Sequence, residues 1–307
     1  MSGTVQQAVQ ALRAGALVIL PTETVYGLAA DAGNPDAVAR LYEAKGRPRF
    51  NPLIAHVTGR AMAERIAPLP ALAARLADAF WPGPLTLVVP IGDRGAVCDL
   101  ARAGLDTVAL RAPAHPLAQA VIAGFGRPVC APSANRSGRP SPTTFADAME
   151  ETGPSATAAL DGGPCAVGLE STVLAVTGDA AQLLRPGGLE RSAIEALTGP
   201  LATGAGDAHR SPGRLALHYA PNAPVRLNAA TPLEGEAWLT FGREAKAPLA
   251  FNLSPAGDLR EAAANLFALL RAADRLNPVA IAVAPIPDHG LGEAINDRLR
   301  RAAGYVG

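Results

Sequence analysis

The chain has 307 residues, 49% apolar and 18% charged, the composition of a compact globular protein with room for about two domains rather than a disordered or collagen-like chain. Basic and acidic residues number 27 each, and the balance holds along the chain: 16 against 17 in residues 1–200, then 11 against 10. A protein that holds nucleic acid as its main partner carries a basic excess, because phosphate neutralisation drives that affinity, so the balance favours a small-molecule site.

In chain order, Thr4 caps a helix with Val5, Val9 and Leu12 on one face and Gly15 as its stop. "ALVIL" reads as a buried strand ended by Pro21. Asn34 before Pro35 opens a second helix that Gly46 closes, with Val38, Leu41 and Tyr42 facing inward. Further helices are expected at 59–67, 70–80, 116–123, 143–152 and 190–198. Strands are expected at "LIAHV", "LTLVV", "TVALR", "PVCA", "TAAL", "STVLAV" and "QLLR". Several of these strands follow one another without helices between them, which predicts a mixed α/β sheet with antiparallel pairs. Residues 201–224 are rich in Gly, Ala and Pro without a sustained period, and read as a linker too long for an ordinary connection. Beyond them, "EAWLTFG", "PLAFNLS" and "VAIAVAPIP" alternate with two helical stretches, as in a small parallel α/β domain.

Cys98, Cys130 and Cys165 lie far apart, the five histidines are scattered, and no metal signature occurs. No apolar run reaches about 18 residues and no leader pattern precedes the first helix, so a soluble, cytoplasmic protein is expected. The common phosphate-binding and hydrolase motifs are absent.

One bias is informative. Of the 27 basic residues 25 are arginine, and only Lys45 and Lys246 are lysine. Lys45 sits in "KGRPRFNPLIAH", where it serves equally well as a cation at a helix C-terminus or as a point charge on a phosphate. Four other loops at strand ends are likewise stiff and rich in hydroxyls, namely "PTETVYGL", "APSANRSGRPSPT", "LESTV" and "LLRPGG", and Arg111 ends "TVALR". Singly, each has a plain structural reading. His56 suits a satisfied core histidine, Arg185 a strand cap, and Glu23 an ordinary loop carboxylate. Their recurrence at one kind of position suits an anionic, oxygen-rich ligand bound at strand ends. No nucleophile stands out, so positioning and charge stabilisation are the expected contributions to chemistry.

Taken in order, "PTETVYGLAADA", "AKGRPRFNPLIAH", "WPGPLTLV", "LDTVALRAPAHP", "APSANRSGRPSPT", "LDGG", "GLESTV" and "LLRPGG" resemble the threonylcarbamoyl-AMP synthase family in its long form. "SPGRLALHYAP" and "GLGEAINDRLRRAA" look like that form's linker and extension. The resemblance implies a YrdC-type twisted mixed sheet with a concave cavity over 1–200, a linker or lid over 201–224, and a small Rossmann-like C-terminal domain over 225–307. It implies that L-threonine, bicarbonate or CO2, and ATP become L-threonylcarbamoyl-AMP and pyrophosphate. This is the first step of a tRNA modification that a downstream threonylcarbamoyl transferase completes. Matching motifs place Thr24, His56, Arg111, Ala131 and Ser171 around threonine, and Arg47, Asn51, Thr107, Ser133, Asn135, Ser141 and Arg185 around ATP. Lys45 and Arg47 are the implied catalytic cations, and Lys45 is expected outside the core. Mg2+ is expected to arrive with ATP, with no metal held by the protein itself. Arg214, His218 and Tyr219 would close the lid, although Arg214-Leu-Ala-Leu departs from the family's usual linker. No membrane contact and no stable tRNA binding are expected. The rival readings are an RNA-binding module using the same basic cavity and a carbamoyl-adenylate-forming carbamoyltransferase. The latter normally carries zinc-finger segments, for which this chain lacks the cysteines.

Overall fold

The computed structural model describes residues 4–202, 218–242 and 247–304. Nine strands form one sheet: β1 (Val18–Leu20), β2 (Gly27–Asp31), β3 (Ile54–His56), β4 (Leu85–Pro90), β5 (Thr107–Arg111), β6 (Val129–Cys130), β7 (Ala158–Ala159), β8 (Thr172–Thr177) and β9 (Ala180–Arg185). Their order is β7-β1-β2-β6-β3-β5-β4-β8-β9. The β1/β7, β3/β5 and β4/β8 pairs are parallel and the rest antiparallel, which is the mixed sheet that the chain order predicts. The helix Pro35–Lys45 forms where its caps dictate. Asn34 accepts from the amides of Asp36 and Ala37, and Gly46 ends that helix in the left-handed conformation at φ 58°.

One strand departs from expectation. "GLAAD" has little intrinsic strand preference and reads as part of a loop, yet β2 is fully buried and paired on both sides, with β1 and β6. Tertiary pairing overrides local propensity there.

The pairing pattern decides where side chains gather. His56 and Arg111 are register partners on parallel β3 and β5. Antiparallel β4 brings its own start beside the end of β5, and parallel β8 begins level with it, Leu85 opposite Thr172. Ends of β3 and β5 thus meet starts of β4 and β8 at one margin. Along β3, Ala55 enters the main core, whereas Ile54 joins Val88, Ala109, Val173 and Leu184 in a small apolar cluster. Strand alternation puts His56 on the same face as Ile54.

A second sheet, all parallel, comprises β10 (Val225–Arg226), β11 (Ala237–Thr240), β12 (Ala250–Asn252) and β13 (Ile281–Val283) in the order β10-β13-β11-β12. Helices Leu259–Asp274 and Gly292–Ala302 pack with it around Leu239, Phe267, Ile281 and Ile295. That core also takes in Val25 and Leu169 from the large-sheet region. Ion pairs reinforce the junction: Arg271 with Glu151 at 2.9 Å, Arg275 with Glu150 at 2.7 Å, and Arg298 with Glu170 at 2.8 Å. The Arg271–Glu151 and Arg298–Glu170 pairs are buried and fix geometry more than they add stability, whereas Arg275–Glu150 is exposed. At Gly168 (φ 73°) a Cβ would lie 2.4 Å from the Ala263 carbonyl oxygen, so the helix can approach only a glycine.

Candidate active site

A cleft opens on the sheet margin, lined by Thr24, Val25, Arg47, Pro52, Leu53, Ile54, His56, Arg111, Ala131, Pro132, Ser133, Glu170, Ser171, Arg185, His218 and Tyr219. Larger surface clefts exist, one near Arg13 and Arg127 among them, but none holds the loops singled out from the sequence.

At one end Arg111 is held by two neighbours. Its Nε donates to the Gly83 carbonyl at 3.2 Å, and its Nη2 pairs with Glu23 Oε1 at 2.6 Å. The other Glu23 oxygen accepts from the Ala114 amide at 2.9 Å. Burial would raise the Glu23 carboxyl, but the Arg111 cation and these hydrogen bonds outweigh it and hold the group below the usual carboxylate range. Glu23 is therefore an orienting anion, not a base. His56 is pushed down to about 3, first by burial and then by the Arg111 cation, so it is neutral at physiological pH. Its Nδ1 lies 3.2 Å from the Ile54 carbonyl oxygen, a contact that suits the tautomer with the proton on Nδ1 and Nε2 as acceptor. Thr24, fully buried, shares a 2.8 Å hydrogen bond with Thr22, and the Ser171 hydroxyl shares one of 2.7 Å with Thr86. The Ala131 amide already donates to Ile54, so any main-chain contact there falls to its carbonyl.

The other end is cationic and backed by main-chain oxygens. Arg47 donates from Nε to the Asn51 carbonyl at 3.3 Å and from Nη2 to the Pro52 carbonyl at 3.2 Å, and burial pulls it down to about 10, still charged. Arg185 donates to the Ser171 carbonyl at 2.8 Å, which ties the two ends together. Tyr219 and His218 cover this end, and burial pushes His218 down to about 3. Glu170 is the one carboxylate among the lining residues. It accepts from Ser141 Oγ on one oxygen and from Arg298 on the other.

The structure therefore brings Thr24, Arg47, His56, Arg111, Ala131, Ser133, Ser171, Arg185, His218 and Tyr219 to one cleft. Ser141 stands just behind it through Glu170. Asn51 supports Arg47 with its carbonyl, and Asn135 donates to the carbonyls of Arg136 and Arg139. Thr107 opens β5, at the opposite end of that strand from Arg111, and does not line the cleft. Arg214 lies outside the described residues. Lys45 corrects an expectation: it is 2% exposed and thus in the core, with its ammonium donating to the carbonyls of Ser133 and Asn135. Burial is also why its amine is pulled well below the usual lysine range. A donor at that spot is needed because two carbonyls of the 133–137 loop converge there, away from water. Sequence reasoning missed Glu170 and Arg298. Both stand in quoted motifs, and a carboxylate inside the otherwise uncharged "GLESTV" was the available signal.

Among the described residues no three His, Cys, Asp or Glu side chains group to hold a metal, and no helix is long and apolar enough to cross a membrane.

Comparison with known proteins agrees in extent. A family model described as "Telomere recombination", covering Sua5, YciO and YrdC proteins, matches residues 10–187, and one described as "Threonylcarbamoyl-AMP synthase, C-terminal domain" matches 189–304. The threonylcarbamoyl-AMP synthase of Bacillus subtilis is 40% identical over 98% of this chain and 93% of its own length. That of Pyrococcus abyssi is 41% identical over 96% and 92%. The crystal structure of P. abyssi Sua5 complexed with L-threonine superposes with a TM-score of 0.89 at 39% identity, covering 98% of this chain and 94% of that one. Escherichia coli YciO, at 20% identity and a TM-score of 0.51, shares the fold. Sequence, fold and cleft together make this chain a member of the threonylcarbamoyl-AMP synthase family.

Proposed function

We propose that the cleft joins L-threonine, bicarbonate or CO2, and ATP into L-threonylcarbamoyl-AMP, releasing pyrophosphate. The observation that carries this reading is the division of one cleft between an oriented arginine beside a neutral histidine and a pair of arginines, Arg47 and Arg185, on main-chain oxygens. Arg111, steadied by Glu23, receives the threonine carboxylate, while Nε2 of His56 accepts from its hydroxyl or amine. Thr24 and Ser171 complete that end. Threonine's amine takes up CO2 to form a carbamate and loses a proton. A carbamate oxygen then attacks the α-phosphorus in line as the bond to pyrophosphate breaks. Arg47 and Arg185 neutralise the charge that develops on the phosphates, and Ser133 lies beside them.

Lys45 acts here at one remove, by holding the loop that carries Ser133 and Asn135. A magnesium ion would be carried by the ATP phosphates, since the cleft's own carboxylate is already engaged by Arg298 and Ser141. His218 and Tyr219 exclude water from a hydrolysable mixed anhydride. A cytoplasmic threonylcarbamoyl transferase acting on tRNA would consume the product. Arg185 is buried and Arg47 half-buried in the cleft wall, which suits a small ligand better than a nucleic-acid strand, so stable tRNA binding forms no part of this reading.

The test is direct. Purified protein given ATP, Mg2+, L-threonine and bicarbonate should release pyrophosphate and form a species with the mass of threonylcarbamoyl-AMP. ATP turnover that ignores threonine, or none at all, would sink the proposal.

A further inference from the structure

The C-terminal region reaches the cleft through one side chain. Arg298, on helix Gly292–Ala302, is 1% exposed and donates from Nε to Glu170 Oε2 at 2.8 Å. Its Nη1 donates to Asp297 at 2.6 Å, and its guanidinium carbon sits 5.2 Å from the centre of the Tyr219 ring. Glu170 in turn accepts from Ser141. Burial would favour the neutral acid, but Arg298 and Arg185 outweigh it and keep Glu170 ionised. A bare carboxylate lining a cleft for a polyphosphate would repel it. Tyr219 shows the same dependence. It holds a left-handed backbone at φ 62°, costly for a tyrosine, and is kept there between Phe267 at 5.4 Å and Arg298, both from the C-terminal region.

We infer that Arg298 is a positioning residue for the nucleotide: it neutralises Glu170, and with it seats Ser141 and Tyr219, so that the C-terminal region completes one end of the cleft only. The inference rests on the ATP reading above and assigns the C-terminal region a share in that site.

The experiment is calorimetric binding of Mg-ATP and of L-threonine, each alone, together with KM for each, on full-length wild type, Arg298→Ala, Arg298→Lys and Glu170→Gln/Arg298→Met. Arg298→Ala should weaken ATP by about tenfold or more, as expected when a buried charge loses its partner, while threonine affinity changes less than about twofold. The uncharged double variant should recover ATP affinity to within about threefold of wild type, and Arg298→Lys should lie between. Should Arg298→Ala fail to fold, the other two variants carry the same contrast. Equal losses for both ligands, unchanged ATP binding in Arg298→Ala, or a double variant no better than Arg298→Lys would overturn the inference alone. A wild type that binds threonine but not ATP overturns the ATP reading itself.

Discussion

The two ends of the cleft are built on different plans. The Arg111 end draws its polar contacts from the large sheet and its loops, with Glu23, Gly83, Thr86 and Ile54 as supports. The Arg47–Arg185 end depends on chain brought from afar: Tyr219 and His218 from beyond residue 200, and Arg298 from the last helix. A small, rigid ligand can be met by one preformed corner. A long, flexible, multiply charged one needs walls from several directions, and this fold recruits its second sheet to supply them. On the function proposed above, the C-terminal region belongs to one substrate's environment more than to the other's.

Three substitutions put that contrast to the test. Replacing Arg111 with Met removes the carboxylate's partner and strands Glu23 in the interior. Turnover per threonine should fall by about 100-fold or more, and stability by about 3–5 kcal/mol, with ATP affinity nearly untouched. Steady-state kinetics and thermal unfolding check both. Lys45→Met should act on the opposite end. Two buried carbonyls lose their donor, at a cost of about 1–3 kcal/mol, and the loosened Ser133 loop should raise KM for ATP by about tenfold. A variant with unchanged KM for ATP would confine Lys45 to stability. The last test is a titration. His56 is neutral when folded, with a pKa near 3 against 6.5 for the free side chain, so its contribution is complete above pH 6.5 and is lost as the pH falls toward 3. Stability should decline by about 1.4 kcal/mol per pH unit for this one group over that window. His56→Gln should flatten that part of the curve measured by urea unfolding at stepped pH.

Much of this was legible because local rules and tertiary structure agree. Asn34-Pro35 and Gly46 delimit their helix in sequence and in space alike, and the unbroken succession of strands after residue 157 announces antiparallel pairs. The loops that line the cleft were recognisable by composition. What sequence could not show was direction. Lys45 turns inward to carbonyls that lie some ninety positions away in the chain, and Glu23 is an anchor only because Arg111 arrives from another strand. Arg298 reads as the polar face of an amphipathic helix until the helix is docked. β2 was missed because alanine and glycine carry no strand signature of their own. In each case the decisive partner is remote, and periodicity is blind to remote partners.

Glu170 and Ser171 are consecutive, yet one serves the Arg47–Arg185 end and the other the Arg111 end. Their shared peptide unit is clamped from above by Gly187, where a Cβ would come within 2.4 Å of the Glu170 carbonyl oxygen and 2.5 Å of the Ser171 carbonyl carbon. The two halves of the cleft are thus soldered at a single link of main chain. A methyl group at Gly187, or one residue inserted before Glu170, would leave every charged side chain in the protein intact and still put both ligand corners out of alignment at once.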